Sequence, residues 1–331
     1  MTLESDGDER QRSRQMNQGW TYRETVNHQG AGQTLLDYYC LHYPHSSRTE
    51  WHSRIINQQI LVNGKKAFPE TVLEKGQRLT YARSPWQEPD VPLNFEILYE
   101  DADLLIVAKP SGLPVLPGGG FLEHTLLFQL QKHYPDENPV PIHRLGRGTS
   151  GLMLIARSPL ARANLSQQMR DRRIQKVYRA LIGKSELPDE FIVDQPIGKV
   201  AHPTLGYLYA ATPSGKFARS EGRVLQRTPN TTLLEISILT GRPHQIRIHL
   251  AAMGYPLLGD PLYGVGGIAK TDYLNGQLPV PGDCGYWLHA HQLQFCHPVT
   301  NQVLTFVCPP PEALVIDPKQ ENRIPHNIVN E

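Results

Sequence analysis

The sequence predicts an α+β protein, with a mixed, mostly antiparallel sheet in a large second domain and a small α+β domain before it. Segments with strand and helix character follow each other without the regular βαβ alternation of a parallel sheet. A stretch containing Pro85, Pro89 and Pro92 is typical of a stiff, extended linker. The 331 residues suffice for one small domain and one with a sizeable core. The predicted divisions are a disordered tail 1–30, a first domain 31–83, a linker 84–92, a second domain 93–312 and a C-terminal tail 313–331.

Composition excludes several classes of protein. Apolar residues make up 39% and charged residues 20% of the chain, as in ordinary globular proteins. The longest apolar runs, such as 104–108, are too short to span a bilayer. The N-terminus carries Glu4, Asp6 and Asp8 and lacks an apolar core, so we expect neither a secretory signal nor a transit peptide, and a cytoplasmic location. The four cysteines form no CxxC pair and the histidines no ligand cluster, so we expect free thiols and no metal.

The predicted first domain has a recognisable order of elements. A helix begins near Leu35, and Ser46-Ser47-Arg48 can open a second helix, because serine oxygens accept from the free N–H groups of a helix start. The strand 60–62 is followed by Asn63-Gly64, which favours a tight turn, and 76–81 is typical of a closing strand. This order resembles the S4-like (αL) RNA-binding module of many RNA-modifying enzymes. The alternative is a generic small α+β domain.

In the second domain the same reasoning predicts a hairpin over 95–108, strands at 151–156, 177–182 and 233–239, and two helices. Ser158-Pro159 can open the first of these helices. The second runs from Pro243 to Met253 and ends at Gly254.

Charge by itself leaves the partner open. The net charge is +1, but residues 157–184 carry eight lysines and arginines against Asp171 alone. Such a run is most often a solvated helix face, although it also fits a nucleic-acid surface.

Three separated motifs make the resemblance specific. They are ILYEDADLLIVAKPSGLPV at 97–115, HRLGRGTSGLMLIA at 143–156 and TGRPHQIRIHLAAMGYPLLGDPLYG at 240–264. QKVYRALIGK, between the second and third motifs, and LHAHQLQFCHP, after the third, match weaker segments of the same family in the right order. Over roughly residues 33–312 the chain resembles the RluA-type RNA pseudouridine synthases, which implies their fold in the second domain.

The resemblance also implies a function. Members of this family isomerise uridine to pseudouridine in structured RNA such as rRNA or tRNA, without a cofactor, after the target base has been flipped out of its helix. They therefore need a basic groove for phosphates and a buried set of catalytic groups. We expect RNA as the partner, no membrane or metal, and a monomer.

The resemblance assigns roles to particular residues. Tyr178 matches an active-site tyrosine whose ring stacks on uracil and whose hydroxyl is a candidate base at C5. Arg247 matches the arginine that orients the catalytic carboxylate, and Arg144 one associated with the flipped nucleotide. His143, Thr149 and Ser150 are expected to shape the loop, and Asp260 to form a turn. The predicted RNA-binding set is Arg144, Arg147, Arg48, Lys65, Arg172, Arg173, Lys176, Arg242 and His244.

The sequence departs from the family pattern at Gly146. Family members have the catalytic aspartate at this position, and glycine can act neither as nucleophile nor as base. Two hypotheses follow: an active synthase with a carboxylate from elsewhere, for which Glu123 is the candidate, or an inactive, chaperone-like RNA-binding protein on the same scaffold. A carboxylate within about 4 Å of Arg247 would favour the first.

Overall fold

A computed structural model of the protein describes residues 16–203, 205–278 and 282–316. Two compact units make up this part of the chain. The first comprises the described residues up to Pro89 together with Pro203–Gly206, and the second comprises the other described residues from Asp90 onward. The boundary at Pro89 lies inside the proline-rich stretch 84–92.

The first unit is a four-stranded sheet with two helices. The sheet has the order β1-β4-β2-β3, and all its pairs are antiparallel. Its core is built around Trp51, Ile55, Leu35 and Leu79, all of which are fully buried. In chain order the elements are β1 (Trp20–Thr25), α1 (Leu35–His42), α2 (Arg48–Ile56), β2 (Ile60–Val62), β3 (Lys65–Lys66) and β4 (Arg78–Arg83).

Local signals in the sequence explain several of these boundaries. Ser47 caps α2, because its side chain accepts from the Glu50 N–H while the Glu50 carboxylate accepts from the Ser47 N–H. Asn63 and Gly64 both have positive φ, 53° and 76°, as a two-residue hairpin turn requires. The predicted cap and turn are both confirmed.

The prediction of a disordered tail over 1–30 is wrong for the described residues 16–30. Strand β1 lies inside this range and pairs with β4 in register, from Trp20 opposite Arg83 to Thr25 opposite Arg78. Its polar sequence hid the strand, because most of its side chains face solvent. Residues 1–15 of the predicted tail lie outside the described part of the chain, as do 317–331 of the predicted C-terminal tail.

The second unit is built on one large sheet. Its strands follow the order β10-β13-β14-β9-β15-β8-β6-β5, with β16 beside β15 and β7 beside β8, while β11 and β12 pair separately. The strands are β5 (Glu96–Glu100), β6 (Leu104–Lys109), β7 (Val140–Pro141), β8 (Ser150–Ala156), β9 (Gln175–Gly183), β10 (Glu190–Val193), β11 (Ile197–His202), β12 (Gly206–Ala211), β13 (Ser220–Arg227), β14 (Thr231–Ile238), β15 (Leu288–Cys296) and β16 (Val303–Val307).

Four helices and a 3₁₀ turn pack around this sheet in the described residues. They are α3 (Leu126–His133), α4 (Pro159–Arg170), α5 (Gln245–Ala252), α6 (Thr271–Leu274) and the turn Glu312–Leu314. Ser158 caps α4 by accepting from the Ala161 N–H, with Pro159 at the first helical position, as predicted. Helix α5 is shorter than predicted, because His244 takes a left-handed conformation (φ 56°) and the helix begins only at Gln245.

The central strands are covered on both faces. Leu105 and Val107 of β6 belong to one apolar core, whereas Leu104 and Ile106 belong to another on the opposite face. Since successive side chains of a strand point to opposite faces, a strand buried on both sides must be apolar throughout. The predicted fold class is confirmed: α+β, with a mixed and mostly antiparallel sheet. In the described residues no helix is long and apolar enough to cross a membrane.

One pairing in this sheet differs from the others in direction. Strand β15 runs parallel to β8, with His289 opposite Ser150 and Ala290 opposite Gly151, whereas it runs antiparallel to β9 and β16. Parallel neighbours begin at the same edge of a sheet. The loops that lead into β8 and β15 therefore lie side by side, although they are far apart in sequence.

Candidate active site

A cleft of about 660 Å³ opens at this edge of the second unit. Its walls come from the loop that precedes β8, the end of α4, β9, the segment between β14 and α5, and the start of β15. A volume of this size is typical of sites that enclose a small ligand or one group of a larger one.

Tyr178 lies on β9 in the wall of this cleft. It is 6% exposed and belongs to the same apolar core as Leu145, Ile246 and Tyr286. Burial raises the pKa of Tyr178, so its phenol is protonated at neutral pH. A neutral phenol can stack its ring on a base and donate a hydrogen bond.

Arg247 lies on α5 at the inner end of the cleft and pairs with two carboxylates. Its Nε and Nη2 donate to the two carboxylate oxygens of Asp260, at 2.7 and 2.8 Å, and its Nη1 donates to Oδ1 of Asp283. The Arg247 side chain is 3% exposed. A buried arginine needs such partners, because an unpaired charge in this environment costs several kcal/mol.

The two carboxylates differ in their surroundings. Asp260 is 1% exposed, and its Oδ1 also accepts from the backbone N–H groups of Leu262 and Tyr263, at 2.9 and 3.0 Å. It therefore forms the expected turn and anchors Arg247 as well. Asp283 is 27% exposed and lies in the loop before β15. Its Oδ1 also accepts from the Tyr286 hydroxyl at 2.9 Å, and its Oδ2 accepts from the Arg147 N–H at 2.9 Å.

Asp283 is ionised at neutral pH. Burial alone would raise its pKa, but the charge of Arg247 and the hydrogen bonds from Tyr286 and the Arg147 N–H outweigh burial and hold the pKa below its usual range. Arg247, which lines the cleft, thus holds a negatively charged carboxylate that is not itself part of the lining.

Gly146 faces this carboxylate directly. A Cβ atom built on Gly146 would stand 2.8 Å from Asp283 Oδ2, 2.8 Å from the Tyr286 hydroxyl and 3.5 Å from Thr149 Oγ1. A Cβ on Gly148 would likewise stand 2.8 Å from the carbonyl oxygen of Asp283. Both glycines therefore leave the space in which the loop of Asp283 approaches the loop before β8.

The loop before β8 is held in place from several directions. Lys109 is fully buried, and its ammonium donates to the carbonyl oxygens of Pro110, Leu113 and Arg147, at 2.8, 2.9 and 3.1 Å. The Tyr286 hydroxyl lies 3.3 Å from Thr149 Oγ1. These bonds fix the backbone N–H of Arg147, which in turn holds Asp283.

The cleft carries positive charge without acidic side chains. Within the described residues its lining contains six arginines and lysines and no aspartate or glutamate. The chain has a net charge of only +1, so this concentration of positive charge is local. The cationic residues of the lining are Arg144, Arg170, Arg172, Lys176, Arg242 and Arg247.

The structure brings together part of the predicted RNA-binding set. Arg144, Arg172, Lys176, Arg242 and His244 line the cleft.

The other members lie elsewhere. The Arg147 side chain rests on the Phe121 ring, with its guanidinium 5.3 Å from the ring centroid, and Arg173 pairs with Asp171 at 3.4 Å. Arg48 and Lys65 belong to the first unit, where Arg48 forms an exposed ion pair with Asp37 at 2.7 Å.

The two histidines of the cleft are neutral at pH 7. Burial lowers the pKa of His143 to about 3, and its Nε2 accepts from the Leu154 N–H at 3.2 Å. Burial, followed by the charge of Arg247, also lowers the pKa of His244. The ring of His244 is 2.7 Å from the Tyr263 hydroxyl, which itself donates to the Tyr209 carbonyl, so His244 Nδ1 carries the proton in this bond.

Sequence reasoning missed Asp283, Tyr286 and Arg170 in this site. Glu123 was the expected substitute carboxylate, but the two carboxylates hydrogen-bonded to Arg247 belong to Asp260 and Asp283. Asp283 lies 137 positions after Gly146, outside the motifs that carry the resemblance. The signal that would have found it is the parallel pairing of β15 with β8, which places the two preceding loops side by side.

In the described residues one group of potential metal ligands lies outside the cleft, at Asp101, Asp103 and His297. Their ligand atoms lie within 4.8 Å of one another. Asp101 accepts from two backbone N–H groups and pairs with His297 at 2.9 Å, and Asp103 accepts from Ser158 at 2.7 Å. These hydrogen bonds stabilise the turn that joins β5 to β6, and they explain why the three side chains lie close together.

Comparison with known proteins identifies the family. The family model described as RNA pseudouridylate synthase matches residues 103–252. An uncharacterized RNA pseudouridine synthase of Synechocystis sp. is 52% identical over 85% of this chain and 95% of its own length. The chain belongs to the RNA pseudouridine synthase family. RNA pseudouridine synthase 5 of Oryza sativa subsp. japonica is 42% identical over 93% of this chain and 91% of its own length.

Other members of this synthase family extend the comparison. The ribosomal large subunit pseudouridine synthase D of Nitrosomonas europaea is 37% identical over 74% of this chain and 70% of its own length. Human RNA pseudouridylate synthase domain containing 4 shares the fold, with a TM-score of 0.50 and 24% identity over 66% of this chain and 89% of that one. The predicted resemblance to the RluA-type synthases is confirmed.

Proposed function

We propose that this chain isomerises uridine to pseudouridine in structured RNA, rRNA or tRNA, as a cytoplasmic monomer that uses no cofactor. The observation that carries the proposal is the ionised carboxylate of Asp283, held on Arg247, a residue that lines the basic cleft. This is the arrangement that the family's reaction requires, although residue 146 is glycine.

The positive lining supports RNA as the substrate. Arg144, Arg172 and Arg242 can contact phosphate oxygens along the cleft, and no acidic side chain of the described lining opposes them. Contacts of this kind supply most of the affinity for RNA and place its backbone. The name of the Nitrosomonas relative, a ribosomal large subunit synthase, favours rRNA within this class.

The wall around Tyr178 supports binding of a flipped base. Leu145, Ile246 and Leu288 surround the tyrosine with apolar surface, and its ring offers a face for stacking. Stacking on an aromatic ring contributes about 1–3 kcal/mol per base. It offsets part of the cost of extracting the uridine from its helix.

The carboxylate distinguishes an enzyme from an inactive RNA-binding scaffold. RNA binding requires only the cationic lining, whereas this ionic group removes Arg247 and Asp260 from water and Asp283 in part. Replacing a buried ionic group by apolar residues is often neutral or stabilising by about 1–4 kcal/mol. The presence of this group next to the cleft is therefore explained better by chemistry than by stability.

The first unit is proposed to act as an S4-like RNA-binding module. Arg48 lies at the start of α2, and Lys65 and Lys66 form the short strand β3 with exposed side chains. These residues present positively charged side chains at the surface, as an RNA-binding surface requires.

The test is to incubate the purified protein with unmodified transcripts of tRNA and large-subunit rRNA and to map carbodiimide-dependent primer-extension stops. The proposal predicts a new stop at one or a few uridines, absent without protein. RNA binding without any stop over both classes of transcript would support the inactive RNA-binding protein and contradict the proposal.

A further inference from the structure

We propose that Asp283 is the catalytic carboxylate of this chain, acting on the ribose from the loop before β15 in place of the side chain that Gly146 lacks. This inference rests on the proposed synthase activity. It concerns a residue outside the segment that matches the family model, which ends at residue 252.

The position of the carboxylate is the first argument. Asp283 Oδ2 lies 2.8 Å from the point at which a Cβ of residue 146 would stand. In an aspartate the carboxylate oxygens lie about 2.4 Å from the Cβ by standard bond lengths and angles. Asp283 Oδ2 therefore lies at nearly the distance from this Cβ position that an oxygen of an aspartate at 146 would have, but it belongs to the opposite loop.

The partner of the carboxylate is the second argument. The resemblance gives Arg247 the task of orienting the catalytic carboxylate, and here Arg247 Nη1 donates to Asp283 Oδ1. The Tyr286 hydroxyl donates to the same oxygen at 2.9 Å. Oδ1 thus accepts from the two groups that fix the orientation of the carboxylate, whereas Oδ2 accepts from the Arg147 N–H.

The other carboxylate on Arg247 is unsuited to this role. The Asp260 side chain is 1% exposed, and its oxygens accept two hydrogen bonds from Arg247 and two from backbone N–H groups. Because this carboxylate is almost completely shielded from solvent, a substrate atom cannot reach it. The Asp283 side chain retains 27% exposure.

Gly146 is the third argument, because its surroundings explain why this position does not hold an aspartate. Gly146 does not need positive φ, so its backbone would tolerate a side chain. The obstacle is contact: a Cβ there meets Asp283 Oδ2 and the Tyr286 hydroxyl at 2.8 Å. A second carboxylate at that point would also repel the first. The absence of a side chain at Gly146 and the presence of the carboxylate at Asp283 therefore depend on each other.

Asp283 is the only protein group that needs to react with the ribose, and the bonds formed and broken balance. As nucleophile, Asp283 forms a bond from an oxygen to C1′ while the C1′–N1 bond breaks and its electron pair leaves with the uracil. After the ring has turned, C5 bonds to C1′, and the C1′–oxygen bond returns its pair to the carboxylate. The proton on C5 is released and N1 takes up a proton, so the product is an isomer of the substrate.

As base, Asp283 would instead take the C2′ proton. That C–H pair becomes the second bond between C1′ and C2′ as the N1 pair leaves with the uracil. The proton returns to C2′ when C5 bonds to C1′. Both routes need an ionised carboxylate at the same place, and neither needs a further reactant.

The experiment measures single-turnover pseudouridine formation on the RNA that the wild-type protein modifies. Asp283→Asn keeps the shape of the side chain but removes its charge. We expect a loss of about 10³-fold or more, as for removal of a principal nucleophile or base, with RNA affinity unchanged within about threefold. A wild-type rate for Asp283→Asn would overturn the inference while leaving the synthase activity established.

A relocation variant separates a catalytic from a merely positioning role. It combines Gly146→Asp with Asp283→Ala, and with Tyr286→Phe because a Cβ at 146 also meets that hydroxyl. The matched control carries Gly146→Ala in the same background. We expect the aspartate form to be at least about tenfold more active than the alanine form. Equal rates in these two variants would overturn the inference that Asp283 replaces a catalytic carboxylate at position 146.

An inactive wild-type protein on every transcript would contradict the proposed function itself. That failure is distinguishable from failure of the inference, which requires an active wild type and an unaffected Asp283→Asn variant.

Discussion

The Oδ2 atom of Asp283 lies 2.8 Å from the point at which a Cβ of Gly146 would stand. The two residues lie in loops that precede the parallel strands β8 and β15, so the topology of the sheet creates this contact. The glycine on one loop lines the cleft, and the carboxylate on the other loop lies directly behind it.

Asp260 and Asp283 are expected to differ in their contributions to stability. Asp260→Ala removes one of the two carboxylates that pair with the buried guanidinium of Arg247 and leaves two backbone N–H groups unpaired. The free energy of unfolding should therefore fall by about 3–5 kcal/mol. Asp283→Asn keeps one acceptor oxygen for Arg247 and Tyr286 but places an amide NH2 group opposite the Arg147 N–H, so it should cost about 1–3 kcal/mol. Urea denaturation of both variants measures the difference. Equal losses would contradict the division of the two carboxylates into an anchor and a reactive group.

Arg172 and Arg173 offer a matched test of the cationic lining. Arg172 lines the cleft, whereas the neighbouring Arg173 is outside the lining and pairs with Asp171. Arg172→Gln should weaken RNA binding and reduce the slope of log affinity against log salt by about 0.7–0.9, the effect of one lost phosphate contact. Arg173→Gln should change the slope by less. Filter binding over a salt series measures both, and a larger effect at Arg173 would place the RNA path elsewhere.

Buried histidines should make the protein less stable as the pH falls below about 6.5. The pKa of His143 is lowered to about 3 and that of His289 to about 4, in each case mainly by burial. The unfolded chain therefore binds more protons than the folded chain between about pH 6.5 and pH 4, and stability rises with pH across this window. Each histidine contributes up to about 1.4 kcal/mol per pH unit.

The measurement is the urea midpoint of the wild type and of His143→Gln at pH 4.5, 5.5 and 6.5. Glutamine can still accept from the Leu154 N–H but does not titrate, so the variant should have the shallower dependence on pH. Identical slopes would show that His143 is not buried in its neutral form.

Much of the fold follows from local patterns in the sequence. Ser47 and Ser158 predicted helix starts, Asn63-Gly64 predicted a hairpin, and the apolar runs of β6 and β8 predicted buried strands. These features depend on residues close together in the chain, where hydrogen-bonding and steric preferences act directly. The polar strand β1 escaped prediction because its burial pattern is weak.

The candidate site was predictable only where a motif carried it. Tyr178 and Arg247 were found from segments that resemble the family, and both line the cleft. Asp283 was not found, because a lone aspartate before a strand carries no local signal and its role depends on long-range pairing of β15 with β8. Glu123 was chosen by proximity in sequence, which does not report proximity in space.

The most direct test of the central claim is the release of tritium from RNA that carries uridine labelled at C5, since formation of the C5–C1′ bond expels that hydrogen. Wild-type protein and Asp283→Asn would be compared under single-turnover conditions with the same transcript. The account predicts rapid release by the wild type and a rate about 10³-fold lower for the variant. Release at the wild-type rate by Asp283→Asn would contradict the claim that this carboxylate replaces the one missing at Gly146.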